Sequence, residues 1–267
     1  MTTRAVPKIL LAAGILSTLL WTPSAHAQQT GDIEKAEKVR DRAIAKIEAW
    51  RAKPAENILD KDRDAVGDTQ PFGTADALLS AMHALTTNDK AVKKSVKTLT
   101  DLAKSDPGDP VAEFYRGMVL TWLGENDAAN GAWKGTESRA RKLIEADPED
   151  ASAQYFLGAS LIRQKKDYDA ARKALKAAAD AGYDAAMVEF QTGLSYLLQE
   201  KWQQAKDAFD KVEKSEPRFA HLYYYRALAW DKLKRTDMLL NDLDQFVKLA
   251  PDAPEAKTAH AILSSAN

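Results

Sequence analysis

Four aspartates in the first third of the chain have the alternating spacing that calcium-binding loops use. Carboxylates at such positions can converge on one cation. The loop would also need a glycine at its sharp turn and a closing glutamate, but the chain has Ala65 and Pro71 there. We therefore predict a solvated acidic loop without a metal ion. The four residues are Asp60, Asp62, Asp64 and Asp68.

Other residues that could do chemistry are scattered along the chain. Beyond the N-terminal segment the histidines are His83, His221 and His260, which lack the spacing of metal ligands. The sequence has no glycine-rich phosphate loop and no nucleophile elbow. It also has no cysteine, which excludes disulfides and thiolate metal sites. We predict a protein that is not an enzyme and uses no cofactor or metal.

The first 27 residues have the features of a secretory signal peptide. Arg4 and Lys8 precede a short apolar run at 9–21, and the small residues Ala25 and Ala27 suit a cleavage site. The run is shorter than the roughly 20 residues that span a bilayer, although a retained anchor remains the alternative. We predict cleavage after Ala27 and a periplasmic protein that does not span the membrane.

The charge balance argues against a nucleic-acid partner. The formal net charge is -1, and loss of two cations with the signal peptide would make it -3. Proteins that bind nucleic acid generally carry an excess of positive charge. We therefore expect no nucleic acid among the partners.

A helix-pair pattern occurs twice between residues 151 and 217, at a spacing of 35 residues. Gly158 and Gly193 lie in the middle of the first helices, and Ala170 and Ala205 follow in the second helices. A glycine inside a helix costs about 0.5–1 kcal/mol relative to alanine, so close helix packing should compensate for it. The fixed spacing predicts a solenoid of stacked helix pairs.

The pattern resembles the tetratricopeptide repeat family, which repeats small and aromatic residues at a period of about 34. An earlier copy contains Gly117 and Trp133, and a later one contains Trp230 and Pro251. A weaker pair covers about 75–105. The resemblance implies an all-α fold, a right-handed superhelical solenoid of antiparallel helix pairs.

We predict an N-terminal helix and polar linker in residues 28–74 and a repeat array in residues 75–267. The helix at 32–52 could pack on the first repeat, pair with a copy of itself or lie in the groove; we favour the first. The segment at about 55–74 is expected to be a loop, because it shows no helical period. The pairs are expected at about 75–107, 110–148, 151–182, 186–217 and 220–251, with a capping helix at 254–264.

The resemblance also implies which residues line the concave groove, because the first helix of each pair faces it in this family. Members that bind a peptide carboxylate have basic and amide residues there, whereas this chain has mainly apolar ones, so we expect no carboxylate clamp. The predicted groove residues are Phe114, Met118, Trp122, Tyr155, Ile162, Arg163, Phe190, Leu194, Leu198, Tyr224, Leu228 and Asp231.

A full row of exposed rings would form a larger apolar patch than a free monomer usually tolerates. The rings could pack between neighbouring first helices, or the groove could bind an amphipathic segment of another protein. A lipid-like small molecule could also cover them. We predict a periplasmic scaffold that binds protein partners of the cell envelope; the alternative is a carrier of a hydrophobic small molecule.

Overall fold

The computed structural model describes residues 23–85 and 89–266, apart from the side chains of residues 23–30 and 89. Within these ranges the chain forms thirteen α-helices and no β-strand. The helices are α1 (Pro23–Glu48), α2 (Ala52–Val66), α3 (Gln70–Ala84), α4 (Asp89–Ser105), α5 (Val111–Trp122), α6 (Asn126–Ala146), α7 (Ala151–Arg163), α8 (Tyr168–Asp180), α9 (Ala185–Leu197), α10 (Trp202–Ser215), α11 (Ala220–Lys232), α12 (Thr236–Leu249) and α13 (Ala256–Ser265).

Successive helices pack as pairs, and each pair packs on the next. The pairs are α1–α2, α3–α4, α5–α6, α7–α8, α9–α10 and α11–α12, and α13 packs on α12. The first helices of successive pairs also contact one another from α3 to α11. The prediction of an all-α solenoid of helix pairs is confirmed.

Glycines permit the closest helix crossings in the two regular pairs. A Cβ atom on Gly158 would lie 2.8 Å from the carbonyl oxygen of Ala171 in α8. On Gly193 it would lie 2.6 Å from the Phe209 ring in α10. Non-bonded carbon atoms prefer separations of about 3.5–4.0 Å, so no larger residue fits without moving a helix. These crossings explain the glycines of the sequence repeat.

Aspartates begin several of the first helices. The Asp150 carboxylate accepts a hydrogen bond from the Ala153 N–H at 2.8 Å, and Asp184 accepts one from the Met187 N–H at 3.0 Å. Each pairs an N–H that has no partner within its own helix. The starts of α7 and α9 are therefore fixed by local sequence.

Five turns inside the pairs share one geometry, those of α1–α2, α5–α6, α7–α8, α9–α10 and α11–α12. In each of these five an N–H bonds to a carbonyl five residues earlier, as from Arg51 to Lys46 at 2.7 Å and from Lys201 to Tyr196 at 2.9 Å. This is the Schellman motif, which needs a residue with positive φ. The α1–α2 turn thus repeats the turns of four later pairs. The residues with positive φ that close these five turns are Trp50, Gly124, Lys165, Glu200 and Lys234.

The segment expected to be a loop at about 55–74 is helical instead. Most of it is α2, in which Ala55, Leu59 and Val66 are buried at helical spacing. Charged residues between these three obscure the period in the sequence. Pro54 lies in the first turn of α2, where proline does not interrupt a helix.

The rest of that segment begins α3. Pro71 lies in the first turn of this helix. Gly73 lies where α3 crosses α4, since a Cβ atom there would be 3.3 Å from Leu102. Two residues that resemble loop signals therefore serve a helix start and a helix crossing.

The four aspartates considered as calcium ligands lie on α2 and in the turn that follows it. Asp62 forms ion pairs with Lys35 and Arg42 of α1, each at 3.4 Å. In the part of the chain that the structure describes, no group of three or more histidines and carboxylates could hold a metal ion. Of the four, Asp62 helps to join α2 to α1.

The predicted signal peptide lies largely outside the described residues, and its last residues, 23–27, form the start of α1. Cleavage after Ala27 therefore stays a prediction. None of the helices in the described ranges has both the length and the hydropathy needed to cross a bilayer.

Candidate functional site

The end of α1 lies against the concave face, which we define as the surface formed by the first helices α5, α7, α9 and α11. The Ala49 carbonyl accepts a hydrogen bond from the Ala220 N–H at the start of α11, at 3.3 Å. Lys46 forms an ion pair with Glu216 at 3.2 Å, in the turn before α11. Although α1 packs on α3 as predicted, its end therefore also reaches the last repeat.

Glu48 connects α1 to three repeats. Its carboxylate accepts a hydrogen bond from the Tyr115 hydroxyl at 2.6 Å and a longer one from the Tyr155 hydroxyl at 3.5 Å. The Gln191 amide in turn donates to the Tyr155 oxygen at 3.3 Å. One buried carboxylate thus links α1 to α5, α7 and α9.

Burial dominates the protonation of this network. It raises the pKa of Glu48, against the hydrogen bond of Tyr115 and the positive charge of Arg163. It also holds the pKa of Tyr115 and Tyr155 well above the usual value, with the Glu48 charge acting in the same direction. Both hydroxyls therefore remain donors at neutral pH.

Trp50 follows Glu48 in the turn and inserts its ring between two repeats. The ring centroid lies 6.1 Å from that of Trp122 in α5 and 5.1 Å from that of His221 in α11. The backbone has φ 59°, a conformation that costs a bulky residue roughly 1–2 kcal/mol. The ring contacts compensate for this strain, which places the aromatic side chain against the concave face.

A half-open cavity of about 140 Å³ lies beside Trp50. Its walls come from α1 and from all four first helices of the concave face. The polar lining residues are Glu48, Thr121, Arg163, His221 and Glu255. The apolar and aromatic lining residues are Ile47, Trp50, Met118, Trp122, Trp133, Phe190 and Tyr225.

Two donors that line this cavity lack a hydrogen-bond partner in the structure. They are Nε of Arg163 and Nε1 of Trp133, both buried. Arg163 hydrogen-bonds the Tyr225 hydroxyl, but it forms no ion pair with a described carboxylate. Although their residues line the cavity, the two atoms themselves are closed off from solvent, so an entering group would meet mainly the apolar and aromatic lining.

His221 and Glu255 form the opposite wall of the cavity. Nε2 of His221 lies 3.4 Å from the Glu255 carboxylate. Burial alone would raise the pKa of Glu255, but the hydrogen bond and charge of His221 outweigh it and lower the pKa. This pair holds the turn before α13 against the start of α11.

Five of the twelve predicted groove residues lie in the core, and we call them the floor. Phe114 packs against Phe156 of α7 at a centroid distance of 5.3 Å, and Phe190 packs against Phe219 at 4.6 Å. Each floor residue is at most 5% exposed, and of the five only Phe190 lines the cavity. The floor consists of Phe114, Tyr155, Ile162, Phe190 and Leu194.

The other seven predicted groove residues are partly or fully exposed, and we call them the rim. Met118, Trp122 and Arg163 border the cavity. Leu198 is 43% exposed, although it is a large apolar residue. The rim consists of Met118, Trp122, Arg163, Leu198, Tyr224, Leu228 and Asp231.

Sequence reasoning did not identify the α1 residues as part of this site. Glu48 is one of many charged residues in a charged helix, and nothing in its spacing distinguishes it. Trp50 could have been noticed from the sequence. It lies at a predicted helix end, four residues before Pro54, and a tryptophan is unusual in a turn that is exposed to solvent. Tyr225 and Glu255 were likewise not predicted.

Comparison with known proteins gives matches to repeat proteins. A model of the tetratricopeptide repeat family matches residues 137–186 and 190–237. A thermophilic TPR protein of Thermus thermophilus is 17% identical with a TM-score of 0.52, over 71% of this chain and 98% of that one. PilW, a widely conserved type IV pilus biogenesis factor, is 15% identical with a TM-score of 0.47, over 72% and 87%. The search of curated proteins found no relative.

The family model covers the central repeats and supports the resemblance seen in their sequence. The Thermus protein, at its low identity, adds evidence for the fold alone. Together with the stacked helix pairs and their shared turns, these matches show that the chain has an all-α fold of the tetratricopeptide-repeat type.

Proposed function

We propose that this chain is a periplasmic scaffold that binds a protein partner of the cell envelope and performs no catalytic step. The observation that carries the proposal is the rim, whose partly or fully exposed residues are mostly apolar or aromatic; three of them, Met118, Trp122 and Arg163, border the open cavity. Repeat proteins of this architecture bind partners through extended surfaces. The signal-peptide features of the N terminus support export.

The cavity fits a single side chain of such a partner. A cavity of about 150 Å³ accommodates benzene in other proteins, and this one measures about 140 Å³. Trp122 and Met118, which border the cavity, would contact an inserted ring. Rings inserted into pockets commonly provide most of an interface's binding energy.

The carrier alternative receives less support from the cavity. Sites for drug-sized ligands usually enclose about 300–1,000 Å³, and a lipid-like molecule needs a comparable volume. The cavity of about 140 Å³ is smaller, and the floor residues that could enlarge it are packed. We therefore retain the scaffold as the proposed function.

Site-specific photo-crosslinking tests the proposal. A benzophenone amino acid at Leu198 of the rim should crosslink a polypeptide in cells that express the protein, and Lys134 on exposed α6 serves as the control position. We expect a rim-specific crosslinked band. Crosslinks of equal yield at both positions, or none at Leu198, would contradict a partner at the rim.

A further inference from the structure

Five lysines lie on one exposed face of α4. Their spacing of three, four and seven residues places them within about a third of the helix circumference. The stripe they form extends for roughly 21 Å along the helix, at 1.5 Å per residue. Asp101 is the one acidic residue on the same face. The lysines are Lys90, Lys93, Lys94, Lys97 and Lys104.

This lysine stripe differs from the other charged helix faces. Elsewhere a lysine or arginine often pairs with an acidic residue three or four positions away, as Lys176 pairs with Asp180 and Lys248 with Asp244. None of the five lysines of α4 forms an ion pair in the part of the chain that the structure describes. The positive charge of the stripe is therefore not neutralised within the described fold.

The packing of α4 leaves the stripe free of a structural role. The opposite side of the helix is buried through Val92, Leu99 and Ala103, which pack on the neighbouring helices. No residue of α4 lines the cavity beside Trp50. The stripe is thus a second surface, separate from the rim.

We infer that the lysine stripe docks the protein on an anionic phospholipid surface. Protein interfaces are depleted in lysine and enriched in aromatic residues, and α4 contains no aromatic residue. A row of mobile ammonium groups without an apolar anchor suits a surface of diffuse negative charge, where clustered lysines act together. Docking through α4 would leave the rim open to a protein partner. The inference is independent of which partner binds there.

Vesicle flotation with the purified protein tests this inference. We expect binding to vesicles with about 30% phosphatidylglycerol, no binding to phosphatidylcholine vesicles, and weaker binding as salt rises. Replacing Lys93, Lys94, Lys97 and Lys104 with Gln should reduce binding at least about tenfold. Conversely, Asp101→Lys completes the stripe and should strengthen binding severalfold.

A matched variant separates the stripe from net charge. It replaces four exposed lysines of α8 and α10 with Gln and so removes the same charge elsewhere; these are Lys173, Lys176, Lys211 and Lys214. We expect its binding to stay within about twofold of the parent, and both variants should melt as the parent does because the lysines are exposed. An equal loss in both variants, or no preference for anionic vesicles, would overturn the inference.

Discussion

The floor and the rim occupy the same set of first-helix positions, yet their surroundings differ. Phe190 of the floor packs against rings of α10 and α11, whereas Trp122 of the rim contacts a single ring among the described residues, that of Trp50, and borders a cavity. Glu48 and Trp50 of α1 account for much of this difference. Glu48 binds Tyr155 of the floor and its neighbour Tyr115, and the Trp50 ring contacts both Trp122 and His221.

The comparison shows that position in a repeat does not determine exposure. In an array of repeats alone, each first helix would present the same positions to the groove. Here the α1–α2 pair places its own turn on the concave face, so part of the groove is already filled by the chain. Binding is then limited to the residues that α1 leaves accessible.

The largest difference between floor and rim should appear in stability. Phe190→Ala removes a buried ring and should lower the free energy of unfolding by about 3–5 kcal/mol. Leu228→Ala, at a half-buried rim position, should cost about 1 kcal/mol. Urea denaturation measures both, and equal losses would mean that the floor and the rim are not distinct.

The close crossing of α7 and α8 should make Gly158 sensitive to substitution. Gly158→Ala brings a methyl group against the Ala171 carbonyl and should destabilise the protein by about 1–3 kcal/mol. Gly131→Ala is the control, because nothing lies within 4 Å of a Cβ atom there and exposed helical glycine is unfavourable. It should stabilise the fold by up to about 1 kcal/mol. Thermal unfolding of both variants distinguishes the two environments.

Glu48 should matter through its hydrogen bonds more than through its charge. Glu48→Leu leaves the Tyr115 hydroxyl buried without an acceptor and should cost about 1–3 kcal/mol in urea denaturation. Glu48→Gln keeps an acceptor and should be tolerated.

The parent and the Glu48→Gln variant should also differ in pH dependence. Because the pKa of Glu48 is raised in the folded state, its contribution to stability is greatest at low pH and is lost as pH rises through that pKa. Relative to Glu48→Gln, the parent should lose stability over this range. A parent that gained stability instead would show that Glu48 is not buried.

The smallest effect concerns the turns. Glu200→Gly relieves a positive φ on an exposed turn and should stabilise the protein slightly, by about 0.5–1 kcal/mol. Trp50→Gly relieves the same backbone strain but loses its ring contacts, so it should destabilise by about 1 kcal/mol. Chemical denaturation that ranks the two variants in reverse would indicate that the Trp50 ring is not docked.

The regular repeats could be predicted from sequence because their packing is local. Gly158, Gly193 and the aspartates that start α7 and α9 act within one pair of helices, and the sequence repeats them. The α1–α2 pair could not be predicted from sequence in this way. Its turn has Trp50 at the position where later turns have Gly124 or a charged residue. Its contacts with Tyr115 and His221 join residues far apart in sequence.

The same reasoning explains the division of the predicted groove residues. The repeat register predicts Phe114, Tyr155 and Phe190 at groove positions of first helices, and the structure buries all three. The register does not indicate that neighbouring rings cover these residues, as Phe156 covers Phe114 and Tyr225 covers Phe190. The surroundings of Met118, Trp122 and Arg163 depend on the end of α1, whose position no local pattern indicates.

A designed disulfide tests most directly whether α1 fills part of the concave face. The chain has no cysteine, so Ala49→Cys with Ala220→Cys introduces a single possible pair at a backbone contact of 3.3 Å. We predict that mild oxidation forms an intramolecular disulfide, seen as faster migration in non-reducing gels. The pair Ala49→Cys with Gly131→Cys should not crosslink. Free thiols in the first variant, or disulfides only between molecules, would show that the end of α1 does not lie on the concave face.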